Sequence, residues 1–221
     1  MPVNEITIPV KGAMLGGALD LPADASGLVV FAHGSGSSRH SPRNQYVARV
    51  LREAGVGTLL FDLLTVEEEQ AEAYTRHLRF DIPFLGQRLV EATRWVLDRA
   101  SSRDLNAGYF GSSTGAAAAL VAASKLSELI SAVVSRGGRP DLAGDALERV
   151  RAPTLLIVGG NDSEVLALNE EAYGRLNREK ALRRVPGASH LFEEPGTLEL
   201  VAKMASEWFV NHLQPLSQSR S

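Results

Sequence analysis

Cysteine is absent from the chain, which excludes disulfides, thiolate metal sites and a cysteine nucleophile. A basic excess is also missing. The formal net charge is -3 and the isoelectric point is near 6.0, so there is no positive footprint of a nucleic-acid binder. Long apolar runs are lacking too. The longest, Ala116 to Ala123, is far too short to span a membrane. The first residues, Met1-Pro2-Val3-Asn4-Glu5, have neither the basic start nor the apolar core of a signal peptide. The expectation is therefore a cytoplasmic protein with a small-molecule partner, no nucleic acid and no membrane.

What is present is a normal supply of core. Apolar residues make up 44% of 221 residues, as in chains that bury a sizeable interior. We expect a single domain over residues 1–213 and a disordered polar tail over 214–221. Short apolar runs alternate with helical patterns. The runs are Leu28–Phe31, Thr58–Phe61, Ala107–Phe110, Ala132–Val134 and Thr154–Val158. Continuous apolar strands of this kind suit a parallel sheet covered on both faces. Glu5–Val10 and Met14–Leu21 read as an antiparallel edge pair, and Ala181–Val185 as a last strand.

Between them lie the helices. Ser41, followed by Pro42, can cap one that buries Val47, Val50, Leu51 and Ala54. Asp81 can cap the next, with Leu85, Leu89, Ala92, Val96 and Leu97 on one face. The Ala-rich stretch Thr114–Leu126, then Leu142–Val150 and Glu164–Leu176, should follow as helices. The final helix carries Leu200, Val201, Met204, Trp208 and Phe209. The order of elements points to an α/β fold with a doubly wound, mostly parallel sheet.

Gly111-Ser112-Ser113-Thr114-Gly115 matches G-x-S-x-G and lies between an apolar strand and a helix. That context is the one a nucleophile elbow requires. A tight strand-to-helix turn lifts the Ser113 hydroxyl clear of the backbone, and the new helix directs its amides at developing negative charge. Ser112 is off-centre in the motif and is the weaker candidate.

A serine hydroxyl needs a base. Of five histidines, only His190 and His212 follow Ser113, as the order Ser, acid, His demands. His212 sits at a helix end and reads as a surface residue. His190 closes Pro186-Gly187-Ala188-Ser189-His190, directly after a strand. The orienting acid should also follow a strand. Asp162 ends Gly159-Gly160-Asn161-Asp162 and is the natural choice; capping the next helix is its competing role. Glu164 is the fallback. Asp62 precedes the serine and breaks the order.

The oxyanion hole needs two donors. The Thr114 amide is one. The other should come from His33-Gly34-Ser35-Gly36-Ser37-Ser38, through the Ser35 amide or, alternatively, Gly36. His33 reads as a structural brace for this loop. The loop fits neither G-x-G-x-x-G nor a P-loop.

On these segments, together with Ser38–Asn44 and Arg79–Ile82, the chain resembles the α/β-hydrolase superfamily and in particular its small dienelactone-hydrolase-like branch, from about Val3 to Leu213. The resemblance implies a Ser113–Asp162–His190 triad, no cofactor and hydrolysis of esters or related acyl compounds. Dienelactone hydrolases proper use a cysteine nucleophile, so this chain is expected to act as a serine carboxylesterase. A ligand receptor or low-turnover pseudo-hydrolase on the same fold is the alternative. Arg136–Pro153 is too short for a cap domain. The longer excursion, Leu63–Phe80, has an acidic part expected to form a solvated face. Leu78 and Phe80, with Phe84 beyond it, are candidates to wall one side of the pocket, and Gly36 is a candidate at another.

Overall fold

Alternation within single strands sets the architecture. In β3 (Leu28–Ala32), Leu28, Val30 and Ala32 pack into one apolar cluster, and Val29 and Phe31 into a second. A strand apolar on both faces is stable only between two covering layers. The computed structural model describes residues 4–99 and 105–213, apart from the Ala73 side chain. The expected tail from Gln214 lies outside the described residues.

Strands β1 (Asn4–Val10), β2 (Ala13–Asp20), β4 (Gly57–Phe61), β5 (Ala107–Ser112), β6 (Ile130–Arg136), β7 (Thr154–Gly159) and β8 (Lys180–Val185) join β3 in one eight-stranded sheet. Its order is β1-β2-β4-β3-β5-β6-β7-β8. β1 and β2 form the antiparallel edge and β2 also runs antiparallel to β4, while the remaining pairs are parallel. Helices α1 (Pro42–Glu53) and α6 (Thr197–His212) cover one face. Helices α3 (Ile82–Arg99), α4 (Thr114–Lys125) and α5 (Ser163–Arg175) cover the other. This is the doubly wound sheet expected from the run of elements, and it carries no large cap.

The helix starts follow local chemistry. The Ser41 hydroxyl accepts from the Asn44 amide at 3.4 Å with Pro42 in the first turn. Asp81 Oδ1 accepts from the Phe84 amide at 3.0 Å.

Two expectations need correction. The Leu142–Val150 helix is instead a 3-10 segment over Pro140–Arg149, broken where Gly144 takes φ 54° and ψ -133°. A residue at that φ cannot carry an α-helix through. The Leu63–Phe80 excursion contains helix α2 (Val66–Thr75), opened by a capping box between Thr65 and Glu68. Its acidic part is not simply solvated. Glu68 pairs with Arg88 of α3 at 2.7 Å, and the Glu72 side chain is buried. Among the described residues, no helix is long and apolar enough to cross a membrane.

His33 ties the sheet edge together. It is buried just after β3, with its Nδ1 2.9 Å from the Gly34 carbonyl and its Nε2 3.0 Å from the Leu63 amide. An amide only donates, so Nε2 accepts and Nδ1 carries the proton. Burial holds His33 below its ordinary pKa of 6.5, and the bond to Gly34 offsets this in part. The folded state thus binds fewer protons than the unfolded state. Stability is whole above pH 6.5 and is lost as pH falls from there toward the folded value, by up to about 1.4 kcal/mol per pH unit. Thermal melts between pH 8 and 5 are expected to show this slope, and His33→Gln to flatten it. An unchanged slope in the variant would remove His33 as its source.

Candidate active site

β5 ends at Ser112 and α4 begins at Thr114, so one residue makes the turn. That residue, Ser113, has φ 49° and ψ -126°. A side chain in this region costs about 1–3 kcal/mol and persists only where the surroundings hold it. Here they do. The Ser113 carbonyl accepts from the Ala116 and Arg139 amides at 3.1 and 3.0 Å. A Cβ on Gly111 would come within 2.4 Å of Ala116 Cα, and one on Gly115 within 2.2 Å of the Ala32 carbonyl oxygen. Both glycines of the motif are therefore steric requirements. Gly34 is also close, since a Cβ there would sit 2.9 Å from Ser113 Cβ.

The other two residues meet through the loops after β7 and β8. The Asn161 amide donates to the Ala188 carbonyl at 2.9 Å, and Asn161 Nδ2 donates to the Gly187 carbonyl at 3.0 Å. A Cβ on Gly159 would lie 2.5 Å from the Ala188 and Ser189 carbonyl oxygens, so the loops approach closely only over glycine. The result is a 2.7 Å bond between His190 Nδ1 and Asp162 Oδ2. Asp162 occupies the cap position of α5 but makes no side-chain capping bond. Its carboxylate is given to the histidine, not to the helix. Glu164 is exposed and Asp62 is held by Arg39, so neither competes. His212 bonds the Trp208 carbonyl and Glu179 within its own neighbourhood. Ser113 and His190 share a cavity of about 240 Å³ that Gly36, Ser37, Arg43 and Arg136 also line.

The oxyanion loop differs from expectation at one atom. The Ser35 amide donates to Thr114 Oγ1 at 3.0 Å and is thus engaged. The Gly36 and Thr114 amides make no hydrogen bond among the described residues. Ser35 Oγ donates to the Arg79 carbonyl at 3.1 Å and lies 3.0 Å from Thr114 Oγ1, so Thr114 is the donor between the two hydroxyls.

Leu78, Phe80 and Phe84 do not line this cavity. Leu78 and Phe84 pack into the core, and Phe80 faces solvent at 56% exposure. Glu72 is the cause. Its carboxylate gathers the His77, Leu78 and Arg79 amides at 2.9–3.0 Å and the Thr75 hydroxyl at 2.7 Å. The turn is drawn inward and offers its Arg79 carbonyl to the oxyanion loop. Burial pushes the Glu72 pKa up, but these bonds outweigh it and hold the value down to about 2. A capping pattern at Thr65 and Glu68 was the available signal for α2, whereas no local pattern marks Glu72. Glu194, which accepts from the Ser189 amide at 3.1 Å, and Arg136 were also missed. Among the described residues, no group of three His, Asp or Glu side chains is placed to hold a metal ion.

Similarity to known proteins follows this geometry. The chain is 56% identical to dienelactone hydrolase from Anabaena variabilis, over 96% of this chain and 99% of that one, with a TM-score of 0.94. The chain belongs to the dienelactone hydrolase family of α/β-hydrolases. Two provisionally named phosphoribosyl transferases of Mycobacterium tuberculosis are also 56% identical over 95% of this chain. The match spans 46% of their length, so the chain covers about half of these curated relatives. Est1E from Butyrivibrio proteoclasticus has a TM-score of 0.76 at 18% identity, over 94% of this chain and 98% of its own, which shows the fold alone. No family model matches the chain.

Within this dienelactone hydrolase family member, the Asp162–His190 bond yields a specific expectation. Asp162→Asn keeps the shape but reverses the hydrogen-bonding preference of the histidine, so kcat on an activated ester should fall by about 10³-fold or more. The melting temperature should fall only slightly, by the ~0.3–1 kcal/mol of a charge at a helix N-terminus, because α5 has no capping bond from Asp162 to lose. Kinetics and thermal melts of the same preparation would check both. A large drop in stability with activity retained would instead make Asp162 a helix cap.

Proposed function

We propose that this protein is a serine hydrolase that cleaves short carboxylic esters through an acyl-enzyme. The observation that carries the reading is the His190 Nδ1 to Asp162 bond of 2.7 Å in the loops beside Ser113. A carboxylate accepts, so Nδ1 is the proton-bearing nitrogen and Nε2 keeps its lone pair for a proton from Ser113. Ser113 Oγ attacks the substrate carbonyl as His190 removes its proton. The charge on the tetrahedral oxygen is met by the Thr114 amide at the start of α4 and by a loop amide. That second donor is Gly36, or Ser35 once the Thr114 hydroxyl turns away. His190 then protonates the leaving alcohol and later activates water, while Asp162 stabilises the imidazolium in each half-reaction. Thioesters and lactones fit the same chemistry.

A fluorophosphonate is expected to add once, at Ser113, and peptide mass spectrometry locates the adduct. Labelling elsewhere, or none on folded protein, would defeat the assignment. Ser113→Ala should lose the label and nearly all ester turnover.

The cavity also bears on substrate size. At about 240 Å³ it lies below the usual range for sites that enclose drug-sized ligands. The neighbouring excursion is not built to swing. Arg88 holds Glu68 at 2.7 Å and the Leu63 carbonyl at 2.9 Å, and Glu72 fixes the following turn. Added acyl carbons beyond the cavity gain less than the ~0.8 kcal/mol of full methylene burial. Rates on p-nitrophenyl esters should therefore peak at roughly two to six acyl carbons by that burial argument, with no jump above the micellar threshold. An optimum at long chains, or interfacial activation, would mean that Leu63–Phe80 moves as a lid.

A further inference from the structure

The cavity of Ser113 and His190 does not end at the nucleophile. Gly36, Ser37, Ser41 and Arg43 line it and also line a neighbouring cavity of about 470 Å³. That one in turn shares Ser37, Ser38, His40 and Glu69 with a third of about 510 Å³, which reaches Thr65 and Gln70 at the start of α2. The three form one groove from the reacting serine, over the loop after β3, to the first turns of α2. Each outer cavity is within the ordinary size range of small-molecule sites. Gly36 relates the groove to the chemistry. An ester whose carbonyl oxygen meets the Gly36 amide brings one of its two substituents toward Ser37 and the groove.

The walls of the groove are polar. No Phe, Tyr or Trp lines either outer cavity, and their only branched-chain or proline lining is Leu64, Val66 and Pro42. The side chains of Ser37, His40, Glu69 and Gln70 make no hydrogen bond or ion pair among the described residues. A hydroxyl, an imidazole, a carboxylate and an amide together offer both donors and acceptors. The other charges are met. Asp62 is taken by the Arg39 guanidinium and by its amide at 2.7 Å, and Arg43 by Glu193 at 3.1 Å. Glu69, half-buried where the two outer cavities meet, is left as an open carboxylate. An alkyl chain would find few apolar contacts here, and an anion would face Glu69. A ligand rich in hydroxyls can use all four groups, since each hydroxyl both donates and accepts and a carboxylate can take two of them at once.

We propose that this groove binds a polyhydroxylated alcohol, a sugar or an open-chain polyol, as the leaving group of a short-acyl ester. The proposal rests on the hydrolase reading above and adds the alcohol half of the substrate. The cavity of about 240 Å³ takes the acyl group, so the substituent that extends past Gly36 is the alcohol. The bond that breaks joins the acyl carbon to the alcohol oxygen, which takes the proton held by His190. Water then releases the short acid from Ser113. Glu69 and Gln70 touch the remaining hydroxyls and not the reacting atoms, so they set specificity and take no part in the chemical step.

Paired acetates test it by pH-stat: glucose 6-acetate against hexyl acetate, and glycerol monoacetate against propyl acetate. Each rate is divided by the hydroxide-catalysed rate of the same ester, so that leaving-group reactivity cancels. At least one polyol ester should exceed its alkyl partner in kcat/KM by about tenfold, which one or two net hydrogen bonds supply. The pair that does so tells a ring sugar from an open-chain polyol. Glu69→Ala and Gln70→Ala should each narrow that ratio, chiefly through the KM of the polyol ester. Ethyl glycerate against ethyl butyrate reverses the arrangement, with the hydroxyls on the acyl side. A preference confined to this pair would put the groove on the acyl half and overturn the assignment. Saturation-transfer NMR of D-glucose and glycerol on Ser113→Ala reads the groove without turnover. Binding that disappears on adding Glu69→Ala supports the proposal even if no ester is cleaved, in which case only the hydrolase reading fails. Esters cleaved with no polyol preference and no polyol binding to Ser113→Ala overturn it. Binding that Glu69→Ala leaves intact places the polyol elsewhere and overturns it as well.

Discussion

The turn at Ser113 is the constraint on which the rest of the site depends. A serine with φ 49° is held there because β5 stops one residue before and α4 starts one residue after. The hold is mutual. The Ser113 carbonyl fixes the first turn of α4 and the Arg139 amide, while the absence of a Cβ at Gly115 lets α4 lie against the backbone of Ala32 and His33. The same close approach brings Gly34 and the loop after β3 beside the serine. One strained residue therefore organises the helix start, the loop after β3 and the segment after β6 together. The cost of about 1–3 kcal/mol is spread over contacts that several elements share.

Buried charge is managed in two ways. Where the fold needs a fixed segment, the charge is paired. Glu72 is enclosed by amides and a hydroxyl from the turn it shapes, and Arg88 by Glu68 and a carbonyl. These groups fix α2 and the turn after it, whose Arg79 carbonyl then receives Ser35 Oγ. At Arg136, near Ser113, the Nη1 atom is buried with no hydrogen-bond partner among the described residues.

The division between what the sequence disclosed and what it concealed follows the range of the physics involved. Strands such as Leu28–Ala32 and Thr154–Gly159 are legible because both faces are apolar, and the edge pair β1–β2 because its pattern differs. Ser113, Asp162 and His190 are legible as candidates because each follows a strand at one edge of the sheet, in the order serine, acid, histidine. Glu72 could not be read in this way. Three of its partners are the amides of His77, Leu78 and Arg79, which carry no residue identity, and the Thr75 hydroxyl and the Arg79 guanidinium reach it only once the turn has formed. A glutamate within an acidic run looks solvated until the turn closes over it. The pocket residues failed for the same reason. Leu78 and Phe80 were placed by hydrophobicity, but Glu72 draws the turn so that Arg79 faces the loop and Phe80 faces solvent.

Asp162 shows how one position can satisfy two local rules and still serve only one. An aspartate before a helix is favoured as a cap, and an aspartate after a strand at the carboxyl edge is favoured as an orienting acid. Sequence alone leaves both open. The backbone places Asp162 at φ -100° and ψ 70° with no side-chain bond to α5, and its carboxylate reaches His190 instead. The loop after β8, which Gly159 admits to within contact and which Asn161 and Glu194 hold in place, brings His190 to that carboxylate. The helix still benefits from negative charge at its first turn through its dipole. Giving the carboxylate to the histidine therefore does not deprive α5 of that favourable electrostatic contribution. The same carboxylate holds His190 Nδ1 and remains at the electropositive end of the helix.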